Sequence, residues 1–458
     1  MPKHSSSARF LSALVGIAAT ATAHAGLLDG VVSNLSNGIV DPEVASASGS
    51  TLALVHPADT VDLTVVLAAA EQAGLQISGV FEQVGVFGAI GTPALFNTLA
   101  ATGLISRVEY NRPLRYFLNS SHNATGGRNV INGSVGGTGY DGSGVGVAVV
   151  DSGVDGTHPD FAGRMGGNVK IVPFTTAAIS LADTDTISAG GHGTHVAGTV
   201  AGTGAASNGE RHGAAPGATL YGVSGGSAIS MHSAVAGLEW VLDNHDQVSP
   251  AIRVVNNSWG SAAGNHDPNS STARANTALV NAGIVVVFAA GNDGGDGSVQ
   301  RTSPTCVDPT PGVICVASYN DQGTGTKNGP MSSFSSRGLS GSPNTYPDIS
   351  APGDAIIAPC RLTLPVCVTG TNGSNEYATL SGTSMAAPHI AGIVAQMLQA
   401  NPNLTPAQVE DILEDTARPI TTGAAYHADP ANPTTGTSFD KGHGLVDAEA
   451  AVAEALNR

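Results

Sequence analysis

Short apolar runs alternate with helix-like segments through most of the chain after residue 140. Val145–Val150, Ile252–Val255 and Ile284–Ala290 are almost continuously apolar, which is typical of parallel strands covered on both faces. The segments between and after these runs predict five helices, at Gly193–Ala201, Ser233–Asn244, Thr272–Ala282, Ser384–Ala400 and Pro406–Thr416. This alternation predicts an α/β domain with a doubly wound, mostly parallel sheet.

A smaller segment, from Thr51 to Phe117, has a different order of elements, β-α-β-β-α-β, which is ferredoxin-like. Its strands and helices are expected at Thr51–Val55, Asp59–Ala73, Ile77–Ile90 (two strands), Pro93–Ala101 and Leu104–Tyr110. We therefore expect a small α+β domain ahead of the large one. From Asn119 to Gly139 the chain is rich in Asn, Ser, Gly and Thr without periodicity, which predicts a linker.

The N-terminus has the pattern of a secretory signal peptide. Lys3 and Arg9 supply positive charge, Phe10–Ala23 is apolar, and Ala23-His24-Ala25 fits the small-residue cleavage pattern. The sequence thus predicts three parts: a signal peptide at 1–25, a small domain and linker at 26–123, and a large domain at 124–458. It also predicts a secreted, extracellular protein.

The net charge and hydrophobic content of the chain argue against nucleic-acid and membrane partners. The 458 residues include 18 Lys+Arg and 35 Asp+Glu, a formal net charge of −17. Because binding to phosphate groups needs clustered cations, we expect no nucleic-acid partner. The hydrophobic fraction of 41% can supply a core, but no charge-free apolar run of 18 residues follows the N-terminus, so no membrane span is expected. The 60 glycines indicate tight turns and close backbone packing.

A secreted protein enters an oxidising compartment, where thiols pair, so the four cysteines are expected to form disulfides. Four cysteines allow three connectivities. Local pairing of Cys306 with Cys315 and of Cys360 with Cys367 would close two short loops. A zinc site made of all four thiolates is the alternative, although neither pair has the usual C-x₂₋₄-C spacing.

Four polar residues stand just after predicted strands or at helix starts, where open α/β sheets bind ligands. Asp151 follows the first strand, His192 and Ser384 open helices, and Asn292 follows the strand Ile284–Ala290. A serine hydroxyl is a weak nucleophile that needs an imidazole base, and the imidazole needs an orienting carboxylate. Amide donors such as Asn292 and the Ser384 backbone N–H can stabilise an oxyanion. This set of groups is suited to acyl transfer.

The segments around Asp151, His192 and Ser384 resemble the three signature segments of the subtilisin-like serine proteases and occur in that family's order. The segment Ala289–Asn292 resembles the family's oxyanion strand, and Asn257–Gly260 resembles the strand that binds substrate backbone. Gly442–Asp447 matches the usual closing turn, and Thr51–Phe117 is similar to the family's propeptide.

The resemblance implies a secreted serine endopeptidase that is made as an autoprocessed preproenzyme. Asp151 would orient the His192 imidazole, which would act first as the general base and then as the general acid. Ser384 would be the nucleophile, and Asn292 would donate a hydrogen bond to the oxyanion. Substrate binding is expected at Ser258, Trp259, Gly260 and Gly291. The partners implied are protein or peptide substrates and the chain's own propeptide, which is removed by a cut within Leu118–Ala124. We expect a monomer, no catalytic cofactor, and a preference for an apolar P1 residue, since no charge accompanies Trp259 and Gly260.

Other interpretations remain open. The same fold could be a catalytically inactive binding module. Gly222–Gly226 fits G-x-S-x-G and suggests an esterase using Ser224, although that motif needs a helix directly after the serine. His192 and His195 could bind zinc, but no third ligand is evident, and His195 is expected to be structural. Asp160 matches a calcium ligand of some family members, so a structural calcium is undecided.

Overall fold

The structure is a computed structural model that describes residues 38–81, 85–110, 118–172, 175, 177–185, 190–225, 230–361, 363–370, 376–430 and 435–458. The predicted signal peptide, residues 1–25, lies outside this range. The chain divides into two units, residues 1–115 and 116–458. None of the helices in the described part of the chain is both long and apolar enough to cross a membrane.

The first unit is a five-stranded sheet with the order β1-β5-β2-β4-β3. Its elements are β1 Ile39–Val40, α1 Pro42–Ala45, β2 Thr51–Pro57, α2 Leu63–Gln72, β3 Gln76–Phe81, β4 Val86–Gly91, α3 Pro93–Ala100 and β5 Ile105–Tyr110. The predicted order β-α-β-β-α-β is present from β2 onward. Phe87 and Phe96 are fully buried in a core of its own.

The second unit is built on an eight-stranded sheet with the order β13-β12-β11-β10-β6-β9-β7-β8. These strands are β6 Gly146–Asp151, β7 Met165–Ile171, β8 Ala178–Ser180, β9 Thr219–Ser224, β10 Ile252–Asn257, β11 Val285–Ala289, β12 Val313–Tyr319 and β13 Ile349–Pro352. All neighbouring pairs are parallel except β7 with β8. The predicted α/β class with a mostly parallel sheet is confirmed.

Helices cover both faces of this sheet. They are α4 Leu118–Thr125, α5 Gly127–Ile131, α6 His192–Ala201, α7 Met231–Asn244, α8 Ser271–Asn281, α9 Pro365–Thr369, α10 Thr383–Ala400, α11 Pro406–Asp415 and α12 Ala448–Asn457. Along β6, Val147 and Val149 belong to the core formed with α6 and α10, whereas Ala148 and Val150 belong to the core formed with α7 and α8. Burial on both faces explains why the strand sequences are continuously apolar.

The remaining strands form two small antiparallel sheets, and two disulfides close local loops. The strands are β14 Ile356–Pro359, β15 Tyr377–Leu380, β16 His427–Ala428 and β17 Gly436–Thr437. Cys306 is bonded to Cys315, and Cys360 to Cys367. Of the three connectivities that the sequence allows, the structure has the local one, and the four-thiolate zinc site is excluded.

The prediction that Asn119–Gly139 is a linker without regular structure is wrong, because this segment contains α4 and α5. The unit boundary also lies earlier than the predicted boundary at 123/124, between residues 115 and 116. Polar composition misled the prediction, since Ser121 and His122 are buried and hydrogen-bonded.

The buried histidines His122 and His389 and the half-buried His212 hold α4 against the rest of the second unit. The His122 ring stacks on His212 with 4.8 Å between centroids, and its Nε2 lies 2.7 Å from the His212 carbonyl oxygen. His389 in α10 donates from Nδ1 to the Met385 carbonyl oxygen, and because burial keeps the ring neutral, its Nε2 accepts from the Ser121 hydroxyl at 3.0 Å. This arrangement requires a neutral His389 ring.

Burial lowers the pKa of all three histidines, that of His389 to about 4. At His389 the unfolded chain therefore binds a proton below about pH 6.5, whereas the folded unit does not bind it until about pH 4. Because the unfolded state binds more protons in this interval, the free energy of unfolding falls as the pH falls through it. His389 alone contributes on the order of 3 kcal/mol to that fall.

We expect His389→Gln to flatten the pH dependence of stability between pH 6.5 and 4, because the variant has one fewer buried group to protonate. Urea denaturation of the full chain at several pH values measures the slope. His232→Gln, which changes an exposed histidine of α7, is the matched control and should retain the wild-type slope. An unchanged slope in His389→Gln would contradict this assignment.

Candidate active site

The central feature of the site is a hydrogen bond between His192 and Asp151. Asp151 ends β6 and is buried, and His192 begins α6, with 2.7 Å between His192 Nδ1 and Asp151 Oδ1. An Nδ1–H that donates to the carboxylate leaves Nε2 unprotonated and able to act as a base. Burial opposes the imidazolium charge, but the carboxylates of Asp151 and Asp185 outweigh it and raise the pKa of His192.

A glycine allows α6 to begin close to β6. Gly191 precedes His192 with φ +98, and a Cβ there would lie 2.5 Å from the Sγ of Cys367. The Cys360–Cys367 disulfide therefore packs directly behind the start of the helix. A side chain at Gly191 would clash with this disulfide, directly before His192.

Ser384 forms two hydrogen bonds with Ser258, which directly follows β10. Its hydroxyl donates to the Ser258 carbonyl oxygen at 3.0 Å, and the Ser258 hydroxyl donates to the Ser384 carbonyl oxygen at 2.8 Å. Pro388 lies four residues after Ser384 inside α10 and has no N–H for the usual i→i−4 bond. The Ser258 hydroxyl thus satisfies the carbonyl that Pro388 leaves without its helical donor.

Asn292 follows β11 and contacts the start of α10. Its Oδ1 accepts from the backbone N–H of Thr383 at 2.9 Å and from the Thr383 hydroxyl at 3.1 Å. These bonds fix the amide so that its NH₂ group is the part left to donate. Asn292 and Ser384 line the same cavity, whose volume is about 410 Å³.

The predicted substrate-binding residues border this cavity or support it. Trp259, Gly260 and Gly291 line it, and the Trp259 indole N–H donates to the Val150 carbonyl oxygen at 2.9 Å. Ser258 is buried and bonded to Ser384, so it supports the cavity rather than lining it.

Asp293 also lines the cavity, although the sequence analysis did not single it out. The expectation of an apolar P1 residue rested on the absence of a charged residue beside Trp259 and Gly260. Asp293 adds a carboxylate to the same cavity, and the P1 preference stays a prediction. The signal that could have found Asp293 is its place directly after Asn292, which puts its carboxylate at the same sheet edge.

The alternative nucleophile, Ser224, is not placed for catalysis. It ends β9, is fully buried, and donates to the Ser152 carbonyl oxygen at 2.6 Å. Gly225 follows outside any helix, and in the described part of the chain the next helix begins only at Met231. The helix that an esterase elbow needs directly after its serine is therefore missing.

His195 is a packed structural histidine, as expected. It is fully buried, and its Nε2 lies 3.1 Å from the Ile356 carbonyl oxygen and 3.2 Å from that of Ala378. Burial lowers its pKa to about 3, with a further contribution from the neighbouring His192. With His192 bonded to Asp151 and His195 bonded to backbone oxygens, the two rings do not form a zinc site.

The carboxylate of Asp160, the calcium candidate, accepts hydrogen bonds from protein donors. The Tyr377 hydroxyl lies 3.0 and 2.9 Å from its two oxygens, and the backbone N–H of Ala206 donates to it at 2.9 Å. The guanidinium of Arg211 lies 4.9 Å from the centre of the Tyr377 ring. A calcium ion at Asp160 would compete with these donors and meet a nearby positive charge, so the residues do not fit the ion.

The described carboxylates and histidines that lie close enough together to share a cation are elsewhere. They form two overlapping groups: Glu414, Asp429 and His443, and Asp348, Glu410 and Glu414. Burial raises the pKa of Asp348 to about 7, and burial together with the neighbouring carboxylates raises that of Glu414 to about 10. Protonation is one way in which the repulsion among these carboxylates is relieved.

Comparisons with known proteins agree with this geometry. A profile of the subtilase family matches residues 142–444. The serine protease AprX of Bacillus subtilis (strain 168) is 36% identical over 348 residues, which cover 73% of this chain and 74% of AprX. Subtilisin E of the same organism is 34% identical over 319 residues, which cover 68% of this chain and 67% of subtilisin E. Among solved structures, the S41 psychrophilic protease has a TM-score of 0.53 at 25% identity, covering 67% of this chain and 92% of its own. The chain therefore belongs to the subtilase family and is a subtilisin-like serine protease.

Proposed function

We propose that this endopeptidase cleaves peptide bonds with Asp151, His192 and Ser384 as its catalytic triad and Asn292 as the oxyanion donor. The observation that carries the proposal is the 2.7 Å bond between His192 Nδ1 and Asp151 Oδ1, because it orients a neutral imidazole whose Nε2 can accept a proton. Ser384 and Asn292 line the cavity in which the substrate carbonyl would lie.

The reaction follows from these groups. Ser384 Oγ gives up its bond to the Ser258 carbonyl, passes its proton to His192 Nε2 and attacks the carbonyl carbon of the substrate. The new oxyanion accepts from the Asn292 amide and from the Ser384 backbone N–H near the start of α10. His192 then protonates the leaving amine as the C–N bond breaks, which leaves an acyl ester. Water repeats the sequence, losing its proton to His192, and the acid leaves as Ser384 recovers its proton.

We also propose that the first unit is a propeptide and that the protein is secreted, acts as a monomer and needs no catalytic cofactor. The signal-peptide pattern and the separate core of the first unit support this organisation. The expected cut within Leu118–Ala124 conflicts with α4, since Ser121 and His122 in that helix are buried. A protease cleft takes extended chain, so we place the cut at or before the start of α4. N-terminal sequencing of the secreted product tests this position.

Ser384→Ala should abolish proteolysis and leave the precursor uncut. The expected loss in kcat is about 10⁶-fold, a magnitude known from removal of the nucleophile in subtilisin. Ser224→Ala removes only a buried hydrogen bond, worth about 1 kcal/mol, and should keep activity within about tenfold. Hydrolysis of a denatured protein and labelling by a fluorophosphonate probe measure both variants. Retained proteolysis in Ser384→Ala would refute the triad, and absence of labelling in the wild-type protein would favour an inactive binding module.

Asn292→Asp separates the donor role of Asn292 from its support of α10. The substituted carboxylate keeps an oxygen that can accept from Thr383 but loses the NH₂ group. We expect kcat to fall by about 10²–10³-fold, the cost of losing this donor in subtilisin, with KM nearly unchanged. Thr383→Val is the control, because it removes one bond to Asn292 Oδ1 and leaves the amide donor in place. A wild-type kcat in Asn292→Asp would show that the oxyanion is stabilised elsewhere.

A further inference from the structure

A second carboxylate, Asp185, lies beside the Asp151–His192 pair. Asp185 lies seven residues before His192, in the connection that leads from β8 to α6. Its Oδ1 accepts from the Ser152 hydroxyl at 2.9 Å, and its Oδ2 accepts from the Gly191 backbone N–H at 2.9 Å and from the Thr194 hydroxyl. Three donors therefore converge on one half-buried carboxylate.

All three donors flank the proposed catalytic residues. Ser152 directly follows Asp151, while Gly191 directly precedes His192 and Thr194 follows it by two residues. The Ser152 hydroxyl also accepts from the Gly193 backbone N–H at 3.0 Å. Asp185 thus connects the end of β6 with the start of α6, the two segments whose separation sets the Asp151–His192 distance.

We propose that Asp185 is a positioning residue for catalysis: its carboxylate fixes the Asp151 segment against the His192 segment and adds a second negative charge that favours the imidazolium. This inference rests on the proposed function, since it concerns proton transfer by His192. Nothing in the local sequence marks Asp185, which stands in an Asp-Thr-Asp-Thr run (residues 183–186) without a motif. Its role arises only from the tertiary contacts.

The surrounding charges are consistent with this role. Burial raises the pKa of Asp185 to about 6, opposed by the three donors and supported by the charge of Asp151. At neutral pH the group is therefore ionised, and its charge raises the pKa of His192 together with that of Asp151. Next to Asp185 lies Asp183, whose Oδ1 accepts from the Asp185 N–H, and the Arg361–Asp155 ion pair acts on Asp183.

Asp185→Asn removes the charge and keeps most of the geometry. The amide oxygen can accept from Gly191 and Thr194, and the NH₂ group can donate to the Ser152 hydroxyl. We expect the acidic limb of the kcat/KM profile to move to lower pH, because the imidazolium loses a stabilising charge. At the optimum, kcat should fall up to about tenfold with KM unchanged. Asp185→Ala loses both charge and bonds, and a loss of about 10²-fold is expected from misplacement of the pair.

Asp183→Asn is the matched control. It removes a carboxylate charge two residues away and keeps the oxygen that accepts from the Asp185 N–H. The charges that raise the His192 pKa are those of Asp151 and Asp185, so the control should retain the wild-type acidic limb. A purely structural Asp185 would lower the melting temperature without moving that limb.

Ser152→Ala gives a second, independent measurement, since it cuts one link to Asp185 and leaves every charge in place. We expect a several-fold lower kcat at unchanged KM. Wild-type kcat and an unshifted acidic limb in Asp185→Asn would overturn the proposal, and if that variant did not fold, an unchanged kcat in Ser152→Ala would do so. The proposed function is tested separately by Ser384→Ala. If Ser384→Ala is inactive but the Asp185 and Ser152 variants behave as wild type, only the proposal for Asp185 fails.

Discussion

The parallel direction of the central strands is the constraint on which the site depends. In a parallel sheet every carboxyl end reaches the same edge, so residues that follow separate strands in the sequence become neighbours in space. Asp151 ends β6, Ser258 follows β10 and Asn292 follows β11, and these three strands are adjacent. Covering both faces of the sheet requires helices, and α6 and α10 bring His192 and Ser384 to that edge.

The sequence predicted what depends on local pattern and missed what depends on tertiary partners. Apolar runs located the central strands, and polar residues after strands or at helix starts singled out Asp151, His192, Asn292 and Ser384 as candidates. The helix α4 was missed because its serines and histidine look like linker residues until they meet partners in another helix. Asp185 was missed for the same reason, since its three donors belong to the Asp151 and His192 segments and are brought to it only by the fold.

The contact between Ser258 and Ser384 couples the proposed nucleophile to the end of β10, next to the cavity. Pro388 removes one helical donor, and a hydroxyl from the end of β10 replaces it. The Ser258 carbonyl oxygen also accepts a hydrogen bond from the Ser384 hydroxyl. A shift of the strand that borders the cavity would thus disturb both ends of Ser384, so geometry for binding and geometry for attack are set by the same contact.

Buried ionisable groups give the folded second unit opposing responses to pH. Neutral buried histidines destabilise it as the pH falls below about 6.5. Glu414 acts in the opposite direction, because its pKa is raised to about 10. The unfolded chain loses that proton above about pH 4.5 while the folded unit keeps it, so the free energy of unfolding falls as the pH rises between these values. In the proposed mechanism His192 must be unprotonated to accept the Ser384 proton, and its raised pKa moves that condition toward higher pH. Catalysis and fold stability therefore make opposite demands above neutrality.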